Sequence, residues 1–382
     1  MKLLSIIGED TSQLVPVLYA YKDKFDHHIL LCDTSTLTRA KSLVKGMRRF
    51  SNIHKLSWQI DIQTIDENSL NQVAKQVQKS LGIFQSCWLN ITDAYPMLAL
   101  LMTNLIQECG GQVISYDHFT NTLHFIDNKQ NITCETLLLK IDLESYMMLL
   151  GYSIVEKQTK KELLPNKSNI MALYKKLSLF KKVRKALIDQ HFGHKVSFDL
   201  ARSTDILNLL HDMGILDEHK KLIPKKQKVL QGDLFEAYIF WLCEALHPDD
   251  IAMGVKIDFD DKTQEPLAQQ RIHNEFDILL MHNNRVFTVE CKFSTHLDGL
   301  EMVYKYDAII DYFGKSSKAI IANISSKPKE SYLGMKSSSS FQHSTLRRAR
   351  LSGIHIYHES QVNVAKFQSL VQSFFHIGGK DE

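Results

Sequence analysis

The chain has 382 residues, 44% of them hydrophobic, and 46 Lys and Arg against 43 Asp and Glu give it a formal net charge of +3. This length suffices for two or three domains with their own cores, and the composition excludes a disordered or fibrous protein. The mildly basic balance is compatible with nucleic acid binding but does not by itself indicate it.

The cysteines and the apolar segments exclude two further classes of protein. None of the six cysteines forms a Cys-x-x-Cys pair, so we expect buried free thiols in a reducing compartment and neither a disulfide framework nor a zinc site. Residues 2–7 resemble a strand and lack the features of a signal peptide. The longest apolar helix, residues 95–106, is too short for a membrane span. We therefore predict a cytoplasmic protein without a membrane segment.

The first 110 residues alternate between strand-like and helix-like segments. Short apolar runs predict strands at residues 3–7, 28–32, 58–65 and 86–91, and helical periodicity predicts helices at residues 13–21, 36–50, 69–81 and 97–109. A hairpin at residues 112–116 and 121–127 follows. Repeated strand–helix units predict a Rossmann-like α/β domain with a parallel sheet and helices on both faces, which we assign to residues 1–145.

Two loops at the carboxyl ends of the predicted strands are candidates for ligand binding. Ligands of open parallel sheets bind at this end, where loops lead into helix N-termini whose N–H groups can hold phosphate. The candidates are Gly8, Glu9, Asp10, Thr11 and Ser12 after the first strand, and Asn90, Thr92 and Asp93 after the fourth. Neither loop has a Walker or Gly-x-Gly-x-x-Gly pattern, so ATP or NAD is not indicated, and capping turns have a similar composition.

Residues 146–228 are predicted to form a helical connector that resembles a winged helix. Residues 156–162 have the composition of a polar linker, and helices are expected at residues 170–187 and 204–213. The connector is the most basic part of the chain, with Lys175, Lys176, Lys181, Lys182, Arg184 and Lys185. It either contacts phosphate backbones, or acts as a hinge, or only joins the flanking domains. A second basic helix carries Arg39, Lys41, Lys45, Arg48 and Arg49. A solvated face is the simplest interpretation, and contact with the ligand or with a strand of nucleic acid is the alternative.

Residues 229–382 contain the pattern that indicates chemistry. Apolar runs at residues 274–281 and 286–293 flank a polar His-Asn-Asn-Arg segment, which predicts a β-hairpin. Glu290 and Lys292 lie two residues apart on its second strand, so their side chains leave the same face. Two charges on a buried face are costly unless they are paired. Further elements are expected at residues 232–246, 252–259, 299–313, 319–323, 353–358 and 361–375.

A divalent metal ion would remove the cost of these buried charges. The carboxylates of Asp277 and Glu290 and the backbone carbonyl of Cys291 are hard oxygen ligands that suit Mg²⁺ or Mn²⁺. Lys292 would then position the attacking water and offset the charge that develops on a phosphate. The alternative is a solvent-facing cross-strand ion pair, which is the ordinary role of Glu-x-Lys on a strand.

Asp277, the hairpin and Glu290-x-Lys292 resemble the PD-(D/E)xK nuclease signature, and Gly232-x-x-x-Glu236 matches the helix that often precedes it. The form Asn-Glu-Phe-Asp at residues 274–277 resembles CRISPR ancillary nucleases that carry an N-terminal CARF sensor domain. The resemblance covers nearly the whole chain. In that family the second loop usually continues with two glycines and a lysine, whereas this chain continues with Asp93 and Ala94.

This resemblance implies a fold, an activity and partners. The fold is a Rossmann-like CARF domain, a small helical connector and a restriction-endonuclease-like α/β domain. The activity is metal-dependent cleavage of DNA or RNA phosphodiesters, with Asp277, Glu290 and Lys292 as catalytic residues and Glu236 as a further catalytic residue or metal ligand. The partners are the nucleic acid substrate, a cyclic oligoadenylate activator at the N-terminal loops, and a second copy of the chain in a homodimer.

Two other functions remain open at this point. The first is a restriction- or repair-type endonuclease without nucleotide activation, which the departure at Asp93 and Ala94 favours. The second is a non-catalytic regulator in which the connector binds DNA; the intact set of Asp277, Glu290 and Lys292 speaks against it.

Overall fold

The computed structural model describes residues 1–65, 75, 87–196, 198–259, 273–293, 299–324, 343–359 and 362–375. In this part of the chain two β-sheets are each covered by helices, and a helical unit follows the first strand of the second sheet in sequence. None of the described helices is long and apolar enough to cross a bilayer. All six cysteines are free, but Cys109 and Cys134 are exposed, so the prediction of buried thiols is wrong for these two.

The N-terminal part of the chain forms a seven-stranded sheet. Its elements are β1 (Lys2–Ile6), α1 (Val15–Ala20), β2 (His27–Cys32), α2 (Leu37–His54), β3 (Gln59–Thr64), β4 (Cys87–Asn90), α3 (Pro96–Glu108), β5 (Gln112–Asp117), β6 (Thr122–Ile126), β7 (Ile132–Thr136) and α4 (Leu143–Leu149). The strand order is β3-β2-β1-β4-β5-β6-β7. The first five strands in this order are parallel, and β6 and β7 form an antiparallel edge.

The predicted Rossmann-like sheet is thus confirmed, with one strand that the sequence did not indicate. The strand β7 is exposed along its whole length, so it lacks the apolar alternation that identifies a strand. The predicted helix at residues 69–81 lies outside the described residues, apart from residue 75. In the sheet β1 lies between β2 and β4, so the chain runs outward in one direction from β1 to β3 and in the other direction from β4 onward. The loops that follow β1 and β4 therefore meet at the topological switch point, where open α/β sheets bind their ligands.

The remaining elements follow in order: β8 (Ser153–Thr159), α5 (Lys160–Leu163), α6 (Lys167–Lys175), α7 (Leu177–His191), α8 (Thr204–Asp212), α9 (Leu234–Glu244), β9 (Asp250–Asp258), β10 (His273–His282), β11 (Arg285–Lys292), α10 (Gly299–Ile310), β12 (Lys318–Ile324), α11 (His343–Leu351), β13 (Ile354–Glu359) and α12 (Val364–Phe375). Strands β8 to β13 form the second sheet, in the order β13-β12-β11-β10-β9-β8. Strands β11, β12 and β13 are parallel to one another, and β8 to β11 are antiparallel.

The predicted hairpin is confirmed as β10 and β11. Asn283 and Asn284 form its turn with φ of 49° and 57°. Asparagine tolerates this left-handed conformation, and two such residues in a row give the turn whose twist matches that of the flanking strands. The Asn284 amide also donates to the backbone carbonyl of Leu139, at 3.1 Å, so the turn is tied to the N-terminal half of the chain.

The predicted linker at residues 156–162 is wrong, because β8 is the edge strand of the second sheet. It pairs antiparallel to β9, and Lys256 of β9 bonds Glu156 at 2.5 Å. Polar and charged side chains are usual on an edge strand, which is why the segment has the composition of a linker. The predicted helix at residues 170–187 is two helices, α6 and α7, separated at Lys176. The helical unit is therefore inserted between the first strand of the second sheet and α9.

The two sheets share a continuous apolar core. One cluster of buried side chains contains Leu43 and Tyr146 of the N-terminal part together with Phe276 and Phe313 of the C-terminal part. Within this core the Tyr146 hydroxyl donates to the carbonyl of Phe313 at 3.0 Å. Burial of apolar area is the main favourable term in folding, so movement of one sheet against the other must disturb shared packing.

Candidate functional site

Asp277 and Glu290 lie where the β10–β11 hairpin opens. The ladder between these strands ends at the pair Ile278 and Val289, one residue before Asp277 and Glu290 would face each other. Instead of a backbone pair, the Oδ2 of Asp277 accepts a hydrogen bond from the N–H of Cys291 at 2.7 Å. The carboxylate thus satisfies a backbone donor of the neighbouring strand, which fixes its position between the two strands.

Lys292 and Glu290 form the closest charged contact of this site. The Nζ of Lys292 lies 2.5 Å from Oε1 of Glu290 and 3.9 Å from Oδ2 of Asp277. Glu290 is only 5% exposed, whereas the Lys292 side chain is more accessible. The two side chains leave the same face of β11, as their spacing predicted. The cluster is therefore a paired and largely buried set of charges and not a solvent-facing cross-strand pair.

Tyr306 is a member of this cluster that the sequence did not single out. It lies on α10, is 1% exposed, and its hydroxyl donates to Oε2 of Glu290. Burial and the neighbouring charge of Glu290 raise the pKa of Tyr306 well above its usual value, so the hydroxyl keeps its proton and remains a donor. Glu290 thereby contacts a lysine through one oxygen and a tyrosine through the other.

The electrostatics of the cluster reflect burial of several carboxylates in one place. Burial, and then the charge of Glu290, raise the pKa of Asp277 above its usual range. Burial and the charge of Asp277 do the same for Glu236. Burial opposes the charged form of Lys292, but Glu290 and Asp277 outweigh it and raise its pKa. The site thus holds an ammonium group together with two carboxyl groups, Asp277 and Glu236, whose pKa values are raised, and perturbed pKa values of this kind are typical of functional sites.

Glu236 lies in the first turn of α9, half-buried beside this cluster. Its charge influences Asp277, but among the described residues no three Asp, Glu, His or Cys side chains have the geometry of a metal site. The oxygens that the chain brings together are those of Asp277 and Glu290, next to the backbone of Cys291. Glu236 therefore remains a neighbour of the pair, and a direct ligand role would require its side chain to move.

The basic connector contributes to the architecture of the site through Arg184. Its guanidinium donates to the carbonyls of Leu230 and Gln231, at 2.9 and 2.7 Å, in the turn that precedes α9. The same guanidinium lies 4.4 Å from the ring centre of Phe293, which follows Lys292 directly. This arginine thus packs the connector against both sides of the site. Part of the positive charge that the sequence offered for phosphate contact has a structural role.

The two predicted ligand loops meet through Asp93. Its Oδ2 accepts from the N–H of Gly8 at 2.8 Å and its Oδ1 accepts from the N–H of Asp10 at 2.9 Å. A Cβ on Gly8 would come within 1.8 Å of the Asp93 carbonyl oxygen, so only glycine permits this approach. In this structure the N–H groups of Gly8 and Asp10 are therefore occupied by a carboxylate of the same chain, and the ligand-binding role of the two loops stays a prediction.

The rest of the second loop is also organised internally. Asn90 is fully buried, and its Oδ1 accepts from the N–H of Thr92 at 3.1 Å and from its hydroxyl at 2.5 Å. The Thr92 hydroxyl in turn accepts from the N–H of Tyr116 at 3.0 Å. These contacts form an Asx-turn that shapes the loop after β4. The side chains of Asn90 and Thr92 thus hold the backbone of this loop in place.

Asp10 and Lys315 connect the first loop to the C-terminal sheet. The Asp10 carboxylate accepts from the N–H and hydroxyl of Ser12, and also from the N–H of Lys315 at 2.9 Å. The Lys315 ammonium bonds Glu9 at 2.6 Å. Gly314, with φ of 104°, lies so close that a Cβ there would be 1.9 Å from the Ser12 hydroxyl oxygen. The loop that the sequence assigned to ligand binding is therefore clamped to the segment that follows α10.

A cavity of about 860 Å³ opens beside this junction. Residues at helical spacing on α2 form one wall, and the rings of Tyr152, Phe259 and Tyr312 also line the cavity. Its polar and charged lining residues are Glu9, Asp10, Thr11, Ser12, Thr38, Arg39, Lys41, Ser42, Lys45, Asp311 and Lys315. The basic face of α2 thus borders a cavity between the two halves of the chain, next to the first ligand loop.

Comparisons with known proteins agree with this geometry. Residues 224–327 match the family model of the Card1-like endonuclease domain. This range includes Asp277, Glu290 and Lys292, which we call the acid–lysine cluster. A search of curated protein sequences found no significant match. Protein VC1899 from Vibrio cholerae has a TM-score of 0.73 at 14% identity, over 99% of this chain and 99% of that chain. Can2 from Sulfobacillus thermosulfidooxidans, solved in complex with cyclic tetra-adenylate, has a TM-score of 0.67 at 13% identity, over 98% of this chain and 99% of that chain.

At these identities the two solved structures concern the fold, and they extend over the N-terminal sheet as well as the endonuclease domain. The architecture expected from the motifs is confirmed: an N-terminal Rossmann-like α/β domain is followed by a second α/β domain, and residues 224–327 of the latter are similar to the Card1-like endonuclease domain.

Proposed function

We propose that the C-terminal domain is a metal-dependent nuclease that hydrolyses phosphodiester bonds at the cluster of Asp277, Glu290 and Lys292. The observation that carries this proposal is the burial of two adjacent carboxylates against one ammonium, with 2.5 Å between Lys292 and Glu290. Like charges held together in a buried place weaken a fold, so their presence indicates chemistry rather than stability. The endonuclease family match over residues 224–327 supports the same conclusion.

The donor atoms of this cluster fit Mg²⁺ or Mn²⁺. The carboxylates of Asp277 and Glu290 and the carbonyl of Cys291 are hard oxygen ligands, and no thiolate or imidazole competes among them. The raised pKa of Asp277 is caused by burial and by Glu290, and a divalent cation would offset both effects. Glu236 would join through a water molecule. A bound metal ion supplies a water of lowered pKa and neutralises charge on the phosphate.

The residues of the chain itself have distinct tasks in this proposal. Lys292 keeps its charge because its pKa is raised, and it orients the attacking water and stabilises the developing phosphate charge. The Tyr306 hydroxyl donates a hydrogen bond to Oε2 of Glu290, the oxygen that Lys292 does not contact, and the N–H of Cys291 donates to Asp277. Both carboxylates are therefore fixed by donors outside the reacting groups, which is the condition for a preorganised site.

We further propose that the CARF domain binds a cyclic oligoadenylate and that two chains act as a dimer in CRISPR antiviral defence. The support is the fold likeness to Can2, which was solved with cyclic tetra-adenylate, and the basic cavity next to the first loop. Arg39 and Lys41 are exposed on the α2 wall of this cavity, where they would attract phosphates. The exposed ring of Tyr312 offers a surface on which an adenine base would stack.

The clamp between Asp10 and Lys315 offers a direct route from sensor to nuclease. Asp10 holds the N–H of Lys315, and this segment continues from α10, the helix that carries Tyr306. Tyr306 in turn donates to Glu290. A ligand that shifts the first loop would move α10 through this clamp and change the position of a catalytic carboxylate. Such coupling requires differential affinity of the ligand for the two positions of the loop.

A second candidate function is a nuclease without nucleotide activation. The observation in its favour is that Asp93 already occupies the N–H groups of Gly8 and Asp10. A ring phosphate would have to displace this carboxylate or approach the basic side chains of α2 instead. This alternative keeps the acid–lysine cluster and all its tasks, and it differs only in the response to cyclic oligoadenylates.

Cleavage of labelled oligonucleotides tests both proposals together. Single-stranded and duplex DNA and RNA are incubated with Mn²⁺, with and without cyclic oligoadenylates of several ring sizes. The variant Lys41→Ala is compared with Lys129→Ala, a change at a lysine on the turn between β6 and β7, away from the cavity lining. The proposed binding of a cyclic oligoadenylate would be supported if one ring size stimulates cleavage, and if Lys41→Ala weakens this stimulation while Lys129→Ala leaves it unchanged. Cleavage that is indifferent to every ring would establish the second candidate.

A further inference from the structure

The face of the C-terminal sheet that carries Lys292 continues onto the two neighbouring parallel strands. Lys292 of β11 pairs with Asn323 of β12, and Asn323 pairs with His358 of β13. Paired residues of a parallel ladder point to the same face, and adjacent strands lie about 4.8 Å apart. The three side chains therefore form one polar row across the carboxyl ends of three parallel strands. At this end, open α/β sheets bind their ligands.

One row deeper in the sheet, the same face is apolar beside Glu290. Glu290 pairs with Ile321, and Ile321 pairs with Ile356. Ile321 is fully buried in the core shared by the two sheets. The polar residues on β12 and β13 thus occur at the mouth of the site, at the level of Lys292, and not along the whole face.

Asn323 is the member of the row whose buried side-chain amide is only partly hydrogen-bonded. It is 2% exposed, its Nδ2 lies 2.9 Å from Nδ1 of His358, and its Oδ1 has no hydrogen-bond partner in the part of the chain that the structure describes. The amide nitrogen can only donate, so Nδ1 of His358 accepts and the imidazole proton lies on Nε2. With the amide turned over, the roles would exchange and one amide atom would still be unpaired. An unpaired buried polar atom weakens a fold, so selection for stability does not explain this asparagine.

We propose that Asn323 is a further catalytic residue of the nuclease: its Oδ1 accepts a hydrogen bond from the water that attacks the scissile phosphodiester, on the side of Lys292 remote from Asp277. His358 is a positioning residue, because it fixes the amide through Nδ2. In the reaction the water oxygen becomes bonded to phosphorus, the bond from phosphorus to the leaving sugar oxygen breaks, and one water proton ends on that oxygen. The inference rests on the proposed nuclease function.

A comparison of substitutions separates this role from a structural one. Asn323→Leu keeps the volume and removes both polar atoms, whereas Asn323→Asp keeps an acceptor oxygen. The matched control is Thr288→Val. Thr288 lies on the same face of β11, is 1% exposed and also has a side-chain oxygen without a partner among the described residues, but it is remote from the row. Steady-state cleavage with Mn²⁺ and thermal melting are measured for each protein.

We expect Asn323→Leu to lower kcat at least tenfold with KM within twofold of wild type, and to melt at or above the wild-type temperature. Asn323→Asp should retain kcat within a few-fold, and Thr288→Val should match wild type. His358→Ala should lower kcat less than Asn323→Leu does, and His358→Gln, which restores an acceptor, should recover it.

Wild-type kcat in Asn323→Leu would overturn the inference and leave the nuclease intact. Equal losses in Asn323→Leu and Asn323→Asp, each with a lower melting temperature, would overturn it as well, because they would indicate a structural role. A wild-type chain that cleaves nothing would overturn the proposed function and this inference with it.

Discussion

The substitution Tyr306→Phe removes one hydroxyl from the interior of the site and nothing else. That hydroxyl donates to Oε2 of Glu290, and both residues are buried. A hydrogen bond to a charged group contributes about 1.5–3 kcal/mol, and the carboxylate oxygen would be left without its donor. If this energy serves to hold Glu290 in its reactive position, kcat falls roughly 10- to 100-fold, since about 1.4 kcal/mol corresponds to a factor of ten.

The matched control for this prediction is Tyr304→Phe on the same helix. Tyr304 is 52% exposed, and its ring faces the guanidinium of Arg348 at 5.5 Å, so loss of its hydroxyl leaves the site unchanged. Single-turnover cleavage at saturating Mn²⁺ gives the rate of the chemical step. Calorimetric titration with Mn²⁺ in the absence of substrate gives a second readout, because a misplaced Glu290 should bind the ion more weakly. Urea unfolding separates either effect from a loss of folded protein.

A Tyr306→Phe protein that cleaves at the wild-type rate and binds Mn²⁺ with wild-type affinity would refute this reasoning. The contact with Glu290 would then be a feature of core packing. A decrease that Tyr304→Phe shares would equally refute it, because the effect would belong to the helix and not to the buried hydroxyl.

Two further predictions concern the loops after β1 and β4 and their junction with the segment that follows α10. Gly314→Ala should lower the free energy of unfolding in urea titrations by more than about 2 kcal/mol, since a Cβ there would meet Ser12 at 1.9 Å. The control Gly193→Ala has open space around a φ of 72° and should lower it by only about 1 kcal/mol. Equal losses of stability in the two variants would contradict the clamp. Burial raises the pKa of Asp93 from 3.8 to about 6 despite two N–H donors. A raised carboxyl pKa stabilises the fold below about pH 4, and this contribution, on the order of 3 kcal/mol, is lost as the pH rises through 6. The free energy of unfolding in urea should therefore decrease across this pH range in the wild type, and Asp93→Ser should abolish this decrease. A pH profile that Asp93→Ser leaves unchanged would contradict the prediction.

The motif of Asp277, Glu290 and Lys292 was predictable because its information is local. Two apolar runs around a polar turn define the hairpin, and the spacing of Glu290 and Lys292 fixes their common face without any knowledge of the rest of the fold. Asp277 was predictable for the same reason, because it lies on the neighbouring strand of that hairpin. The alternation of strands and helices in the first 110 residues was equally local, and the parallel sheet followed from it.

The partners of these residues were not predictable, because they come from distant segments. Tyr306 resembles any other aromatic residue on an amphipathic helix, and only the packing of α10 brings its hydroxyl to Glu290. Arg184 resembled a phosphate contact, yet its guanidinium caps backbone carbonyls of residues 230 and 231. The strand β8 resembled a linker because an edge strand with one exposed face carries the same polar residues.

The role of Asp93 shows how a local pattern can mislead about a ligand. Small and hydroxyl residues after β1 indicated a phosphate loop, since backbone N–H groups at a helix start attract anions. The anion that the chain itself provides is Asp93, which is 83 residues from Asp10 in sequence. The departure from the family pattern at this position was visible in the sequence, but its structural consequence depended on the pairing of β1 with β4.

The central claim is tested most directly by cleavage in the variant Glu290→Gln beside its control Glu275→Gln. Glu275 is an exposed carboxylate on β10, two residues from Asp277, so its loss removes the same charge from the same sheet without touching the cluster. With Mn²⁺ and the best oligonucleotide substrate, we expect a loss of at least a hundredfold for Glu290→Gln and wild-type cleavage for Glu275→Gln. Full cleavage by Glu290→Gln would rule out the proposed site, because the phosphodiester would then be hydrolysed without the residue around which the site is built.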